Sequence, residues 1–564
     1  MNKMKILAIL GLLASNVTYS NIQLDASKLQ NTTIEQGKKG NTIININTPN
    51  SKGISVNDFE NFQTNNGVIF NNSGQKMNIS QLEGIINGNP NITGDQAKLI
   101  LNRVGGVNRT EIEGTLEAVG KEKVDMIFSS PNGIYLNGTN FIGFKDVTFT
   151  TAPVSLDGAG NIQTLTIDKG SMEIGRNGLD ASKLKQLAIL SKQINIDGQV
   201  KGKNIDFIAG DFDYNVNDKS QINKNLENNS ISISSSEFGS IYGDQINIIA
   251  KNGDIGIKGD IIAQEKINID GQKIVEIYSN LKSEENLYIK YKNDLKVTGD
   301  IEAEDTITIS RYLDTFYYKG EIFGNIITTN MLVTDSDGIG SGGSVVFYGD
   351  TYISNRLTLN SFMINMGNMY VDNVLLSNGL ILNWGNMFVL NNINSDIINS
   401  ISNLESINNY GVLDVYGDVN VNHLNSSDSG ITTIGGNLIV NKFLDNRGGV
   451  IDVKGNADLK GLLNYGVINA SELYIYAVYN PNDHYFYNAF ANFGTINSNN
   501  LYAESSYLNN TGIINAKENM EIKSLTIFNS GELNTKNLKL TFKNFSSQGG
   551  KITADNISFD FYTK

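Results

Sequence analysis

In the second half of the chain, short runs alternate single apolar and polar residues, as in Ile267-Asn268-Ile269-Asp270 and Leu538-Lys539-Leu540-Thr541-Phe542. That period of two is the mark of a strand with one face buried, and helical periodicity is almost absent. The runs recur at a nearly constant step, as Gln245 to Ile249, Lys266 to Asp270, Asn286 to Lys290 and Thr306 to Ser310. Beyond them a glycine follows two positions after an asparagine in Asn365-Met-Gly, Asn383-Trp-Gly, Asn409-Tyr-Gly, Asn446-Arg-Gly, Asn464-Tyr-Gly, Asn492-Phe-Gly, Asn510-Thr-Gly and Asn529-Ser-Gly. Those glycines are Gly367, Gly385, Gly411, Gly448, Gly466, Gly494, Gly512 and Gly531, a regular step interrupted by insertions. A step near 20 predicts a solenoid. Leucine-rich repeats share the step, but the alternation fits one turn of a right-handed parallel β-helix better. Inward Ile, Leu, Val and Phe would stack on their own kind, and Asn-x-Gly would supply the left-handed or tight backbone of each corner. Some 25 turns at about 4.8 Å make a rod of about 120 Å.

Proline sits early, at Pro49, Pro90, Pro131 and Pro153, with only Pro481 beyond. Because proline cannot join an interior ladder, the early region is expected to form a β-rich N-terminal cap and the later region a continuous stack. The segment 1–20 has basic Lys3 and Lys5, an apolar run from Ile6 to Ala14, and small Thr18 and Ser20. This is the pattern of a signal peptide cut between Ser20 and Asn21. No later stretch approaches the roughly 18 apolar residues of a membrane helix. The expected division is therefore 1–20 signal peptide, 21–265 N-terminal domain and 266–564 repeat region. The last stretch, Ile557 to Lys564, alternates like a strand with no visible cap, which suggests a shortened chain, a fragment, or a cap that the sequence does not reveal.

Two turn motifs lie in the early region: Asn89-Pro90-Asn91-Ile92, and Pro131-Asn132-Gly133-Ile134 preceded by Ser130. Asn-Pro-Asn is an ordinary turn taken alone, since Pro fixes φ and Asn satisfies its own backbone. Here it stands upstream of the second motif and behind a signal sequence. The same region holds Thr42 to Ser55, Phe59, Phe62, Asn71-Asn72-Ser73, Ala97 to Asn102, Gly114 to Gly120, Gly170 to Asp180 and Ser232 to Gly243. Together these resemble the secretion domain of two-partner secretion exoproteins, the filamentous haemagglutinin and haemolysin family, over roughly residues 21 to 265. The family's usual Leu is Ile92 here, and its usual Asn at the opening of the second motif is Ser130. The resemblance implies an outer-membrane β-barrel transporter as partner. It leaves open whether Asn89 to Ile92 and Ser130 to Ile134 touch that partner or hold the domain's fold.

Composition narrows the chemistry. There is no cysteine, hence no disulfide, thiolate nucleophile or thiolate metal site. The formal net charge is -14 with no basic cluster, which argues against nucleic acid and against docking on anionic lipid. Gly338-Ile-Gly-Ser-Gly-Gly343 has the letters of a dinucleotide loop but precedes strand-like Val345 to Tyr348 rather than a helix. Asp335 and Asp337 lack the remaining ligands of a calcium loop. His423 and His484, the only histidines, are expected on the surface of repeat loops. No catalytic set, metal site or cofactor is expected. The aromatic stretch Tyr474 to Phe493, with Tyr479, Tyr485, Phe486, Tyr487 and Phe490, interrupts the period and reads either as a protruding binding loop or as cover for a packing defect. The expected function is an exported adhesin with an unidentified receptor. The alternatives are a haemolysin or the stalk of a contact-dependent inhibition toxin, and, at a further remove, a β-helical polysaccharide-degrading enzyme.

Overall fold

The computed structural model describes residues 21–224, 231–312, 319–322, 326–328, 331–336, 344–359, 362–376, 379–395, 406–477 and 489–562. The signal sequence with Ser20, the Gly338 to Gly343 loop with Asp337, and Tyr479, His484, Tyr485, Phe486 and Tyr487 lie outside them. Every regular element among the described residues is a strand, and the chain divides into two compact units. The first comprises Met1–Lys203 with Phe212–Ile222, the second Asn204–Asp211 with Asn223–Lys564.

In the first unit, parallel turns are joined by antiparallel additions. Ile54–Thr64, Leu99–Val104, Val124–Ser129, Phe144–Thr150 and Leu179–Ser191 pair in parallel, each on the next. Asn21–Leu24 runs antiparallel to Ile54–Thr64, Thr33–Gln36 to Thr42–Asn45, and Met77–Ser80 to Gly84–Asn87. These additions lie in the early region where proline was expected to break the stack. Phenylalanines fill the coil: Phe59 packs on Phe62 with centroids 5.1 Å apart, and Phe62 on Phe128 at 4.8 Å. Burying such rings supplies apolar area and edge-to-face contacts together.

In the second unit every pairing described from Asp254 to Phe561 is parallel, and like stacks on like. Ile246, Ile267, Leu287 and Ile307 fall directly over one another, as do Ile248, Ile269, Ile289 and Ile309. All of these are fully buried, so the alternation of the sequence is the alternation of inside and outside. Each such side chain contributes about 1.5–3 kcal/mol by leaving water. The fold is a parallel β-helix.

The Asn-x-Gly corners form, but for a reason the sequence reading had only half right. Gly448 has a positive φ of 135°, whereas Gly367, Gly385, Gly411, Gly466, Gly494, Gly512 and Gly531 are absent from the residues with positive φ. What forbids a side chain is the turn beneath: a Cβ on Gly494 would come closer to the Gly466 carbonyl oxygen than the 3.0 Å that real Cβ atoms keep, and Gly512 over Gly494 and Gly531 over Gly512 repeat this. The asparagines are wholly buried and stacked. Asn446 Nδ2 donates to Asn464 Oδ1 at 2.8 Å, Asn464 to Asn492 at 2.8 Å, Asn492 to Asn510 at 2.8 Å and Asn510 to Asn529 at 2.7 Å. Further bonds to backbone carbonyls, such as Asn510 Nδ2 to Glu532 O at 3.1 Å, use the other amide hydrogens. The long interval from Gly411 to Gly448 contains a turn whose Asn place is taken by Ser426, which pairs with Asn409 on one side and Asn446 on the other.

Two sequence expectations are corrected. His423 is not a surface residue: it lies 8% exposed in the strand Val419–Ser426, and burial, with a smaller effect of the Lys442 charge, pushes its pKa down to about 4. Phe490 is not part of an exposed loop surface, since it is fully buried and pairs with Leu462.

Candidate functional site

The first motif is a turn whose asparagine points inward. Asn89 is 1% exposed. Its Nδ2 donates to Asn71 O at 2.7 Å and Ile46 O at 2.9 Å, and its Oδ1 accepts the Asn91 backbone N–H at 2.9 Å. The backbone closes the turn as well, with Asn89 N–H donating to Ser73 O at 2.8 Å and Ile92 N–H to Asn89 O at 3.2 Å. An Asn side chain bonding its own backbone two residues on is the device that makes Asn a turn former. Here the same amide also ties separate segments together. Asn91, half-buried, donates to Asn31 O at 2.7 Å and Ile46 O at 3.1 Å, and its carbonyl accepts the Thr48 hydroxyl at 2.9 Å. Ile92 is 6% exposed and plugs the floor, while Pro90 faces solvent.

The second motif is built differently. Ser130 is 1% exposed; its backbone N–H donates to Thr150 O at 3.0 Å and its carbonyl accepts Gly133 N–H at 3.0 Å. The Ser130 hydroxyl is buried and finds no hydrogen-bond partner among the described residues. Pro131 is half-buried, and exposed Asn132 donates through Nδ2 to Gly106 O. Gly133 adopts φ 105°, a region that L side chains rarely enter, and a Cβ there would also press on Ser171 O. Ile134 returns to the core at 1% exposure. The two motifs are thus separate turns of one unit, each holding its own neighbours.

Sequence reasoning missed the polar groups that support the first turn. Glu117, 2% exposed, accepts from Ser80 Oγ at 2.5 Å, Gln81 N–H at 2.6 Å and Leu82 N–H at 3.2 Å. It thereby anchors the turn of the hairpin Met77–Ser80/Gly84–Asn87, whose exit leads into Asn89. The signal was present as one carboxylate inside the apolar run Leu116-Glu117-Ala118-Val119. Glu83, 8% exposed, accepts from Lys39 N–H at 2.6 Å and Asn41 Nδ2 at 3.0 Å. Burial acts to raise its pKa, but the bonds from Asn41 and the Lys39 backbone, with the Lys39 charge, outweigh burial and hold it below the usual carboxylate value. Asn72 grips the segment after the motif in both directions, donating to Ala97 O at 2.9 Å and accepting Ala97 N–H at 2.8 Å. Arg103 forks onto Asp58 at 2.7 and 2.8 Å and reaches Val154 O at 3.2 Å. Such a bidentate pair fixes geometry as well as charge.

Among the described residues no group of three or more His, Cys, Asp or Glu could hold a metal ion. No described helix is long and apolar enough to cross a membrane.

Residues 21–277 match the family model of the TPS secretion domain. Among curated proteins, the 16S rRNA endonuclease CdiA of Enterobacter cloacae is 29% identical over 285 residues, 50% of this chain and 8% of that protein. The tRNA nuclease CdiA of Yersinia mollaretii is 27% identical over 320 residues, 56% of this chain and 10% of that protein. The protein adenylyltransferase and cysteine protease IbpA of Histophilus somni is 29% identical over 293 residues, 48% of this chain and 7% of that protein. The chain therefore spans a tenth or less of the length of these relatives. Among solved structures, the filamentous hemagglutinin secretion domain aligns with TM-score 0.39 at 23% identity, covering 57% of this chain and 99% of that one. The HMW1 secretion domain from Haemophilus influenzae aligns with TM-score 0.19 at 11% identity, covering 96% of this chain and 100% of that one.

Proposed function

Residues 21–277 of this chain are a TPS secretion domain, which makes the chain an exported two-partner secretion exoprotein, and from that premise we propose that a dedicated outer-membrane β-barrel transporter engages this domain and passes the chain to the cell surface or medium, where it serves as an adhesin. The family match carries the reading. In this reading residues 1–20 are the signal peptide that first delivers the chain to the periplasm, and neither nucleic acid nor a cofactor takes part. The chain has no catalytic role: its β-helix is a scaffold whose loops meet a receptor on another cell.

The two turn motifs act in export through the fold they build. Asn89 spends its amide on backbone groups inside the domain and has almost no surface to offer a partner. Outside the inner membrane no nucleotide is at hand to drive transport. Burial of each apolar turn as it emerges on the far side would bias the chain outward, starting from a correctly folded first unit. Coexpression of the full chain with a two-partner transporter in a Gram-negative host tests the assignment. Transporter-dependent appearance in the medium or on the cell surface supports it, and transporter-independent export or retention in the periplasm overturns it. Adhesion is tested by binding of the exported protein to host or neighbouring bacterial cells.

The names of the curated relatives favour a second reading, in which this β-helix is the stalk of a longer toxin of the CdiA kind. Growth inhibition of neighbouring cells by a strain expressing the protein would favour the stalk, and attachment without inhibition or red-cell lysis favours the adhesin.

A further inference from the structure

The hairpin Met77–Ser80/Gly84–Asn87 stands apart from the coil of the first unit, since its two strands pair only with each other. Its inner face is spent: Asn78, Ser80 and Ile86 are 8, 2 and 5% exposed, and Glu117 holds its turn. Its outer face is bare and largely apolar, with exposed Asn87 across from Met77. Met77, Ile79 and Ile85 are 66, 82 and 75% exposed, and Ile79 lies directly across from Ile85. A free strand edge beside a row of exposed aliphatics is a combination that folded proteins normally blunt or cover. This one is held in the open by a buried carboxylate and, at its exit, by the Asn89 turn.

The surroundings state the partner's charge. Lys76 is exposed at the hairpin's base, and exposed Lys38 and Lys39 flank its tip, where the Lys39 N–H meets Glu83. Beside the base, Ser73, Gly74 and Gln75 form one wall of a groove of about 750 Å³ whose other walls carry Lys98, Lys121, Lys123 and Lys145 alongside Asp95, Glu122 and Asp125. In a chain of net charge -14 the groove sets four lysines against three carboxylates, with Lys145 4.0 Å from Asp125 and 3.7 Å from Asp146, so that with Lys38, Lys39 and Lys76 the surface carries a modest positive excess.

We propose that the outer face of this hairpin is the ridge by which the secretion domain docks on its outer-membrane transporter, onto an apolar strand edge flanked by carboxylates. The inference rests on the reading that this domain engages such a transporter. Three exposed aliphatic side chains fall short of the roughly 800 Å² per partner of a standard stable interface. A contact of that size suits a chain that must be recognised and then released into the pore.

The test uses the full exported chain and a detergent-solubilised two-partner transporter that exports the wild type. Met77→Ser/Ile79→Ser/Ile85→Ser is expected to lower affinity for the transporter at least tenfold with native hydrogen-exchange protection at Ile44 and Ile69, whereas Leu525→Ser, at a 45% exposed position of the second unit, leaves affinity unchanged. Lys38→Glu/Lys39→Glu/Lys76→Glu is expected to lower affinity severalfold and to flatten its salt dependence. As an independent readout, a benzoylphenylalanine placed at Ile79 in secreting cells crosslinks to the transporter, and one placed at Leu525 does not. Wild-type affinity in the triple-serine variant, or no crosslink from position 79 while the wild type is exported through the transporter, overturns the docking ridge and leaves the export reading intact. If no transporter binds or exports the wild type, both fall. Transporter-independent binding of the hairpin to phosphatidylethanolamine/phosphatidylglycerol vesicles would also overturn the proposal, assigning the ridge to a lipid surface.

Discussion

Replacing Asn89 by Ala removes three hydrogen bonds at once, to Asn71 O at 2.7 Å, Ile46 O at 2.9 Å and from Asn91 N–H at 2.9 Å. A buried hydrogen bond contributes about 1 kcal/mol net, and a polar group left unpaired inside the protein costs about 1–3 kcal/mol more. Ile46 O keeps Asn91 as a donor at 3.1 Å, so the full penalty does not fall on every group, and the expected loss is about 3–4 kcal/mol. That is large against the roughly 5–15 kcal/mol of a typical domain. Asn91→Ala removes two bonds from a half-buried side chain and should cost about 1–2 kcal/mol. Pro90→Ala, at an exposed position, should change stability by less than about 1 kcal/mol. Since a β-helix need not unfold in one step, the assay is hydrogen exchange of the amides of residues 42–46, 68–73 and 89–97 in the full chain, read as local opening energies. The reasoning fails if Asn89→Ala opens these segments by under about 1 kcal/mol, or if Pro90→Ala proves the most damaging of the three.

Three other outcomes are expected. Ser130→Ala should be nearly neutral in a urea titration, because the hydroxyl it removes is already without a partner among the described residues. Gly494→Ala forces a methyl against the Gly466 carbonyl and should cost about 1–3 kcal/mol, seen as protease sensitivity of the turns around residues 464–512; native resistance would contradict the close-approach account. His423 has its folded pKa depressed from 6.5 to about 4, so the unfolded chain takes up its proton first. Its contribution is intact above pH 6.5 and is lost as pH falls through 4, by at most about 3 kcal/mol. The stability difference between the wild type and His423→Gln should therefore shift against the wild type between pH 6.5 and 4, and a pH-independent difference would show that His423 titrates normally.

Most of the architecture could be read from the sequence because a solenoid repeats its physics. Ile267 and Ile269 announce their burial by alternating with Asn268 and Asp270, and the neighbouring turn says the same thing again with Leu287 and Ile289. The single Ser426 rung and the long glycine interval it produces could not be placed without the register. Nor could the reason for most of the glycines: a backbone carbonyl one turn away leaves no local trace, whereas a positive φ would have been the usual guess. His423 shows the limit of treating a polar residue as a surface one, since it is buried beside the inward Leu424 in Val419–Ser426. At the motifs, the letters Asn-Pro-Asn-Ile marked a turn and a resemblance. That Asn89 faces in and Pro90 out, and that Glu117 braces the preceding hairpin from the later strand Thr110–Val119, depended on contacts between distant segments.

The central claim is that the first motif serves export by building the fold, and the most direct measurement is the rate of transporter-dependent export of Pro90→Ala, Asn91→Ala and Asn89→Ala chains set beside their local opening energies. The account predicts that export falls in the same order as stability, with Pro90→Ala near wild type and Asn89→Ala least exported. Normal export of a destabilised Asn89→Ala chain, or loss of export in a stably folded Pro90→Ala chain, would contradict it.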